Sequence, residues 1–265
     1  SVVEMGWTAT TIPEEFDGLG LGYLELCVIA EELGRSLAPT PFSSSVYLAT
    51  EALINQGSKE QHQKYLPKLA AGEIVGTLAH TETTNSPSPE NLNCELSNNK
   101  LNGIKIAVTD GDVANFAVVS AKEGDKVVLG LVDLASKGVE ITSQNTLDPS
   151  RSHASIKFKD ADAEILGSSQ DGWVALQEIL DHAAVLFAFE QLGGAEACMD
   201  MAKEYAMGRF AFGRPIASFQ AIKHKIADMY IAVELARSNC YFGAWALSTN
   251  APELATAAAT ARVSA

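Results

Sequence analysis

The residues best equipped for chemistry lie between Arg209 and Met229, in the string RFAFGRPIASFQAIKHKIADM. Upstream of it, Trp173, Leu176, Leu180, Ala184, Phe187, Gln191, Ala195, Cys198, Ala202 and Tyr205 recur at intervals of three and four, the stripe of an amphipathic helix. Downstream, Phe219, Ile222, Ile226, Met229, Val233, Ala236 and Cys240 repeat that interval. Gly213 and Pro215 break the pattern between them, and Ser218 is placed to cap a second helix starting near Phe219 and Gln220. A helix N-terminus offers unpaired amides, the Arg209 guanidinium a planar fork, and Phe212 an apolar cover, which together suit a phosphate next to a flat ring. The same spacing also fits a plain helical hairpin whose Arg209 pairs with a neighbouring Glu.

Other chemistries are excluded or left without a pattern. The 19 Lys and Arg against 33 Asp and Glu give a net charge of −14, which repels nucleic acid and anionic membranes and leaves any anionic ligand to local basic groups. Cys27, Cys94, Cys198 and Cys240 are far apart and mostly in apolar settings, so the expectation is buried thiols in a reducing cytoplasm rather than disulfides. His62, His80, His153, His182 and His224 are equally scattered, so no metal site is expected. No run approaches the roughly eighteen apolar residues of a membrane span, and the opening residues lack a signal-peptide pattern.

The elements that must carry the 209–229 string fall into three parts. Residues 1–73 read as helical after a Gly-rich loop around 12–22: Tyr23 to Arg35, Ser43 to Asn55 with a stop at Gly57, and a third helix capped by Ser58 with Gln61 as its capping-box partner. Over 74–167 the period shortens. The runs IVGTLAH, LNGIKIAVT, NFAVVSA, KVVLGLVDL, GVEITSQ and HASIKFKDA are separated by turn residues, as in an antiparallel sandwich or barrel. Ile156 and Phe158 should point inward and Lys157 and Lys159 outward, while TNSPSPE from Thr84 to Glu90 must be loop. Residues 168–265 return to helix, with a last helix opening at Pro252. The expected fold is α+β: an N-terminal helical domain, a middle antiparallel β-domain and a C-terminal helical bundle.

With Arg209, Phe212, Gly213, Pro215, Phe219, Gln220, Ala227, Asp228 and Met229 as they stand, the string strongly resembles the flavin-binding hairpin of acyl-CoA dehydrogenases. IPEEFDGLG, AEELGR and GSKEQHQKYLPKLAAGE resemble that family's helical N-terminal domain. The resemblance implies FAD as cofactor, with Arg209, Phe212 and Gln220 reaching the FAD of a neighbouring subunit and Thr81 and Thr109 meeting the flavin from the β-domain. It implies an acyl-CoA substrate dehydrogenated to a trans-2-enoyl-CoA, electron-transfer flavoprotein as acceptor, and a homo- or hetero-oligomer, dimer or tetramer. Against the family pattern, the chain is expected to lack the first helices and the last helical stretch.

Three departures bear on function. Pro87, which has no N–H, stands where a phosphate-contacting Ser would fall; Ala107 replaces the Trp of the second motif, here KIAVTDG; and Asp110 replaces an amide. For Thr81 and Thr109 taken singly, a hydroxyl capping a strand end is an equal reading. One family position for the α-carbon base falls on Ala183, and the other lies in the final helical stretch; Asp181 and His182 are adjacent but face other directions on a helix. The base is therefore expected outside residues 1–265. Three readings stay open: a dehydrogenase subunit, a non-catalytic partner that completes another chain's FAD site, and a flavin-dependent monooxygenase on the same scaffold.

Overall fold

A computed structural model of the chain describes residues 1–167 and 171–265; residue 168, the expected start of the third domain, lies outside that description. The chain forms two compact units. The first comprises Ser1–Leu21 and Pro39–Leu180, the second Gly22–Ala38 and Asp181–Ala265.

In the first unit, short 3-10 turns at Trp7–Ala9 and Glu14–Phe16 precede a π-helix at Ser43–Thr50 that runs into α2 (Glu51–Gln56). The helix expected over Ser43 to Asn55 thus has a π-wound first half, and Gly57 follows its last residue. Helix α3 (Lys59–Ala70) is capped as expected: Gln61 N donates to Ser58 Oγ at 3.3 Å, and Ser58 N donates to Gln61 Oε1 at 3.0 Å.

Seven strands follow: β1 (Gly76–Ala79), β2 (Glu95–Ser97), β3 (Lys100–Thr109), β4 (Phe116–Glu123), β5 (Lys126–Asp133), β6 (Val139–Gln144) and β7 (His153–Ile165). Pairing runs β4–β5–β7–β3–β2 and returns to β4, with β1 added beside β4 and β6 beside β7. Most pairs are antiparallel. However, β1 runs parallel to β4, from Gly76 opposite Phe116 to Ala79 opposite Val119, and β2 meets β4 in parallel at Glu95 and Lys122, within a sheet otherwise antiparallel as expected. The chain enters β1 from a helix rather than through a hairpin, so no turn dictates the antiparallel sense. The sequence also hid β2, whose three residues are too few to show a period.

Alternation explains the packing. On β4, Phe116 and Val118 join the cluster of Ile12, Leu53, Leu66 and Leu176, while Ala117, Val119 and Ala121 join Leu96, Leu101, Ile156 and Phe158. With both faces buried the strand reads as one continuous apolar run, and each fully buried large side chain contributes about 1.5–3 kcal/mol. On β7, Ile156 and Phe158 are buried and Lys157 and Lys159 exposed, as expected.

The second unit holds α1 (Tyr23–Arg35), residues 181–208 of α4 (Gly172–Gly208), α5 (Gln220–Ser248) and α6 (Leu254–Ser264). Helix α1 has the predicted bounds, and α6 starts two residues after Pro252 because Pro252 and Glu253 form a turn. Glycines let α1 and α4 approach: a Cβ on Gly34 would lie 1.9 Å from the Glu190 carbonyl oxygen, and one on Gly193 would lie 1.9 Å from that of Glu31. Arg237 then bonds Glu31 at 2.6 Å and Glu196 at 3.2 Å, and Arg35 reaches Glu196 and Asp200, both at 3.0 Å.

The apolar stripe predicted for α4 packs against the core at Trp173 and Leu180 but beyond that only borders the buried face. Leu176 is buried, but the rest of the buried face runs through Ile179, Ala183, Leu186, Phe189, Leu192 and Met199, while Gln191, Cys198, Ala202 and Tyr205 are exposed. The helix is apolar on several sides, so spacing could not choose among neighbouring stripes. It is long and apolar enough to cross a membrane by length and composition, with mean hydropathy 1.2, yet half of that window is buried inside the protein, as in a core helix. On α5, Val233, Ala236 and Cys240 are buried as expected, whereas Met229 is exposed.

Candidate functional site

In the second unit, the candidate residues gather at the hairpin between α4 and α5. Arg209 follows the last residue of α4, and its amide donates to Tyr205 O at 2.9 Å. Two-residue strands β8 (Phe210–Ala211) and β9 (Arg214–Pro215) pair antiparallel across Phe212 and Gly213, whose φ angles of 52° and 78° define a tight left-handed turn. A 3-10 turn, Ile216–Ser218, leads into α5.

Ser218 is not the cap it was expected to be. Its hydroxyl donates to Pro215 O at 2.7 Å, and the N-cap is Phe219, which has no side chain able to bond the first-turn amides. The extra 3-10 turn moves the helix start one residue on and leaves the α5 N-terminus without a side-chain cap. Arg209 makes no ion pair among the described residues, so the hairpin with an Arg–Glu pair is not what forms. Phe212 is 96% exposed and meets Phe219 edge-on at 6.2 Å, and the Arg214 guanidinium lies 4.2 Å above the Phe219 ring. Gln220 is exposed, its amide nitrogen 3.5 Å from His224 Nε2. The hairpin therefore presents an unpaired guanidinium, an uncapped helix start and a bare aromatic ring. This donor set fits an anionic group attached to a flat ring system, such as the diphosphate and flavin of FAD.

In the first unit, Thr81 lies beside β3 three residues from Thr109, the last residue of that strand: Ile106 N donates to Thr81 O at 2.8 Å, and Thr77 Oγ1 donates to Thr109 O at 2.7 Å. Both side chains are half-buried, and neither hydroxyl makes a hydrogen bond among the described residues. Ala107 lies between them at a register irregularity, exposed and with φ 50°. The bulge turns this position outward, and a methyl group is all it offers a ring. Pro87 falls in the irregular loop expected over Thr84 to Glu90. At this edge the fit to a flavin is partial, because two hydroxyls remain and the flanking ring and one loop amide do not.

Behind the edge, polar groups are matched to one another. Lys105 is fully buried, its ammonium 2.8 Å from Glu82 Oε1 and 3.1 Å from Ser120 Oγ. Glu82 also accepts from Asn93 N at 2.6 Å and Cys94 N at 2.9 Å. Burial raises the Glu82 carboxyl's proton affinity, but Lys105 and the amides outweigh it and hold the group below the usual carboxylate range. Burial pulls the Lys105 ammonium down despite Glu82, lowers His80, which also feels Lys105, and pushes the Cys94 thiol up to about 12. Asp110, 4% exposed, accepts from Ser44 Oγ at 2.6 Å and Ser152 Oγ at 3.4 Å. Sequence reasoning missed the Glu82–Lys105 and Ser44–Asp110 partnerships; the only signal was that Thr81-Glu82 and Lys105 each stood in a recognised string.

Ala183, where one of the two expected base positions falls, is buried at 1% exposure, Asp181 and His182 are half-buried, and His182 packs edge-on against Tyr23 at 5.7 Å. Elsewhere in the first unit, a cleft of about 510 Å3 lies between α3 and the strand ends, lined by Lys64, Tyr65, Lys68, Asn115 and Phe116 among others; none of the predicted residues lines it. No group of three or more His, Cys, Asp or Glu among the described residues is arranged to hold a metal ion.

Comparison with known proteins adds three findings. Models described as the acyl-CoA dehydrogenase N-terminal and C-terminal domains match residues 1–73 and 170–265. The mitochondrial isovaleryl-CoA dehydrogenase of Solanum tuberosum is 33% identical over 249 residues, 87% of this chain and 60% of that protein; the probable acyl-CoA dehydrogenase YngJ of Bacillus subtilis is 30% identical over 266 residues, 94% and 70%. The chain thus spans about 60% of the length of the curated relatives it matches first. A chain of the ChsE4–ChsE5 complex from Mycobacterium tuberculosis superposes with a TM-score of 0.86 at 27% identity, covering 99% of this chain and 71% of that one.

Proposed function

This chain belongs to the acyl-CoA dehydrogenase family, and on that premise we propose that it is a subunit of an FAD-dependent enzyme that converts an acyl-CoA thioester to its trans-2-enoyl-CoA. The observation that carries the reading is the hairpin: Arg209 without an ion pair, Phe212 96% exposed and an uncapped α5, all on one tip. In this reading Arg209 and the first-turn amides of α5 hold the cofactor's diphosphate, Phe212 covers its ring system, and the Gln220 amide bonds its polar edge, in a neighbouring subunit's site. Thr81 and Thr109 offer hydroxyls from the β-edge. FAD, when bound, supplies the acceptor for the β-hydrogen. Removal of the α-proton needs a carboxylate in reach and hydrogen bonds to the thioester oxygen. We assign that base to no residue in 1–265, since Ala183 has no proton-accepting group.

Assembly belongs to the same proposal. Tyr230, Ile231, Leu235, Tyr241, Phe242 and Trp245 on α5 are all 41–62% exposed, an amount of bare apolar surface that a partner subunit would cover. A second reading, a non-catalytic partner that lends its hairpin to another chain's FAD, is favoured by one contrast: Arg209, Phe212 and Gln220 are kept while Ala107 and Pro87 have lost flavin contacts. In either case we place the protein in the cytoplasm, with electron-transfer flavoprotein as acceptor. The experiment is anaerobic addition of an acyl-CoA to the FAD-loaded assembly. Bleaching of the flavin band is expected, an unbleached flavin would defeat the dehydrogenase reading, and co-purification of a second, related chain would select the partner reading.

A further inference from the structure

Lys105 has no exposed surface, and its ammonium touches three groups on two separate segments: Glu82 Oε1 at 2.8 Å and the carbonyl of His80 at 3.5 Å on one, and Ser120 Oγ on β4 at 3.1 Å on the other. Glu82 is as fully committed. Besides Lys105 it accepts from the Asn93 and Cys94 amides at 2.6 and 2.9 Å and from Asn93 Nδ2 at 3.2 Å. The chain between Glu82 and Asn93 is irregular, so one carboxylate ties the far end of this loop to its near end, and one ammonium ties that knot to the barrel. Within the loop, Asn91 Oδ1 accepts from Ser88 N at 2.9 Å and Asn91 Nδ2 donates to Ser86 O at 3.1 Å, so the side chains fold the loop on itself. Thr81 directly precedes the knot, and its carbonyl is pinned to β3 three residues before Thr109.

A buried ion pair is weak evidence for stability, because desolvation costs about as much as the attraction returns, and well-packed apolar replacements are often neutral. Its distinctive property is that it fixes position. We propose that the Glu82–Lys105 pair is a positioning device: it closes the Thr83–Leu92 loop and fixes Thr81 beside Ile106 of β3, three residues from Thr109, at the edge that would meet the flavin. Glu82 and Lys105 touch no ligand in this account and act through the two threonines. The second half rests on the proposed function; the first does not.

The test uses the double variant Glu82→Leu/Lys105→Met, with Glu82→Gln as the conservative variant, in the full chain with whatever partner it requires. Hydrogen exchange without FAD reads the loop. The Asn93 and Cys94 amides, which bond different oxygens of Glu82, should both exchange at least tenfold faster in the double variant but only one of them in Glu82→Gln, which keeps a single acceptor oxygen, while the core amides of β4 and β5 stay unchanged. FAD titration reads the edge: the double variant should bind at least tenfold more weakly and shift the flavin absorption band, with partial recovery in Glu82→Gln. Unchanged exchange at Asn93 and Cys94 would overturn the positioning claim, as would equal acceleration throughout the sheet, the mark of a merely structural role. Released amides with unchanged FAD affinity would overturn its extension to the flavin edge. A wild-type assembly that never binds FAD would overturn the proposed function, and the exchange result would still decide the first half.

Discussion

The α4–α5 hairpin and the β-edge treat polar groups in opposite ways. At the hairpin, a guanidinium makes no ion pair among the described residues, a long helix starts without a side-chain cap and an aromatic ring is 96% exposed. At the β-edge nearly every charged group is spent internally: Glu82 on Lys105 and two amides, Asp110 on two serines. Donors that face outward cost nothing in folding and remain available to a ligand, whereas buried ones must be matched within the fold. The hairpin is thus built to give contacts away, and the β-edge to keep its own shape. Under the proposed function, with the cofactor between subunits, this is the asymmetry expected of a chain that contributes more to a neighbour's site than to its own.

The largest expected effect separates the two regions by stability. Lys105→Met leaves the Glu82 carboxylate buried and unpaired and should destabilise the chain by about 3–5 kcal/mol in urea unfolding, while Arg209→Met should stay within about 0.5 kcal/mol of wild type. Equal effects would erase the contrast. Acid should act on the β-edge in the same sense. The folded state holds the Glu82 carboxyl below its ordinary 4.5, so in that window the unfolded chain binds the extra proton. Its contribution is complete above that range and is lost as pH falls through the lowered value. Glu82→Gln should therefore flatten part of the decline in unfolding midpoint below about pH 4.5, a slope that an unperturbed carboxylate would not produce.

How much of this was legible in the sequence depended on range. Elements written in local signals came out as read: Tyr23–Arg35 after Gly22, the Ser58–Gln61 capping box, and the Ile156 and Phe158 alternation. What was not legible depended on distant partners. The α4 stripe was ambiguous because apolar residues lie on adjacent faces, and the parallel sense of β1 is set by what it packs beside. Ser218 lost its capping role to a 3-10 turn that spacing does not reveal. At the candidate site, the proposed roles of Arg209, Phe212 and Gln220 rest on twelve consecutive residues. The Ser44–Asp110 contact joins residues 66 apart, which no local pattern could pair.

A smaller effect sharpens the hairpin side. Phe212 holds φ 52°, a conformation that costs an ordinary L-residue about 1–2 kcal/mol and that Asn, the usual residue before Gly in such turns, tolerates. Phe212→Asn should raise hairpin stability by up to about 1 kcal/mol while weakening FAD binding, since strain kept at a ring-covering position points to use. Lower stability with unchanged binding would make Phe212 an ordinary turn residue. The smallest effect is a count. Cys27, Cys94 and Cys240 are buried and their thiols are pushed up, chiefly by burial, whereas Cys198 is exposed. A thiol reagent on the native chain should label Cys198 and spare the other three, as judged by peptide mass; rapid labelling of Cys94 would mean that the β-edge is looser than its hydrogen bonds imply.

The central claim is that the hairpin gives its contacts to a cofactor, and the direct measurement is the FAD dissociation constant of the complete assembly with Arg209 and with Arg209→Ala. Loss of a hydrogen bond to a charged group costs about 1.5–3 kcal/mol, so the account predicts binding weaker by roughly 10- to 150-fold, with the subunits still associated. An Arg209→Ala assembly that holds FAD as tightly as the wild type would contradict it.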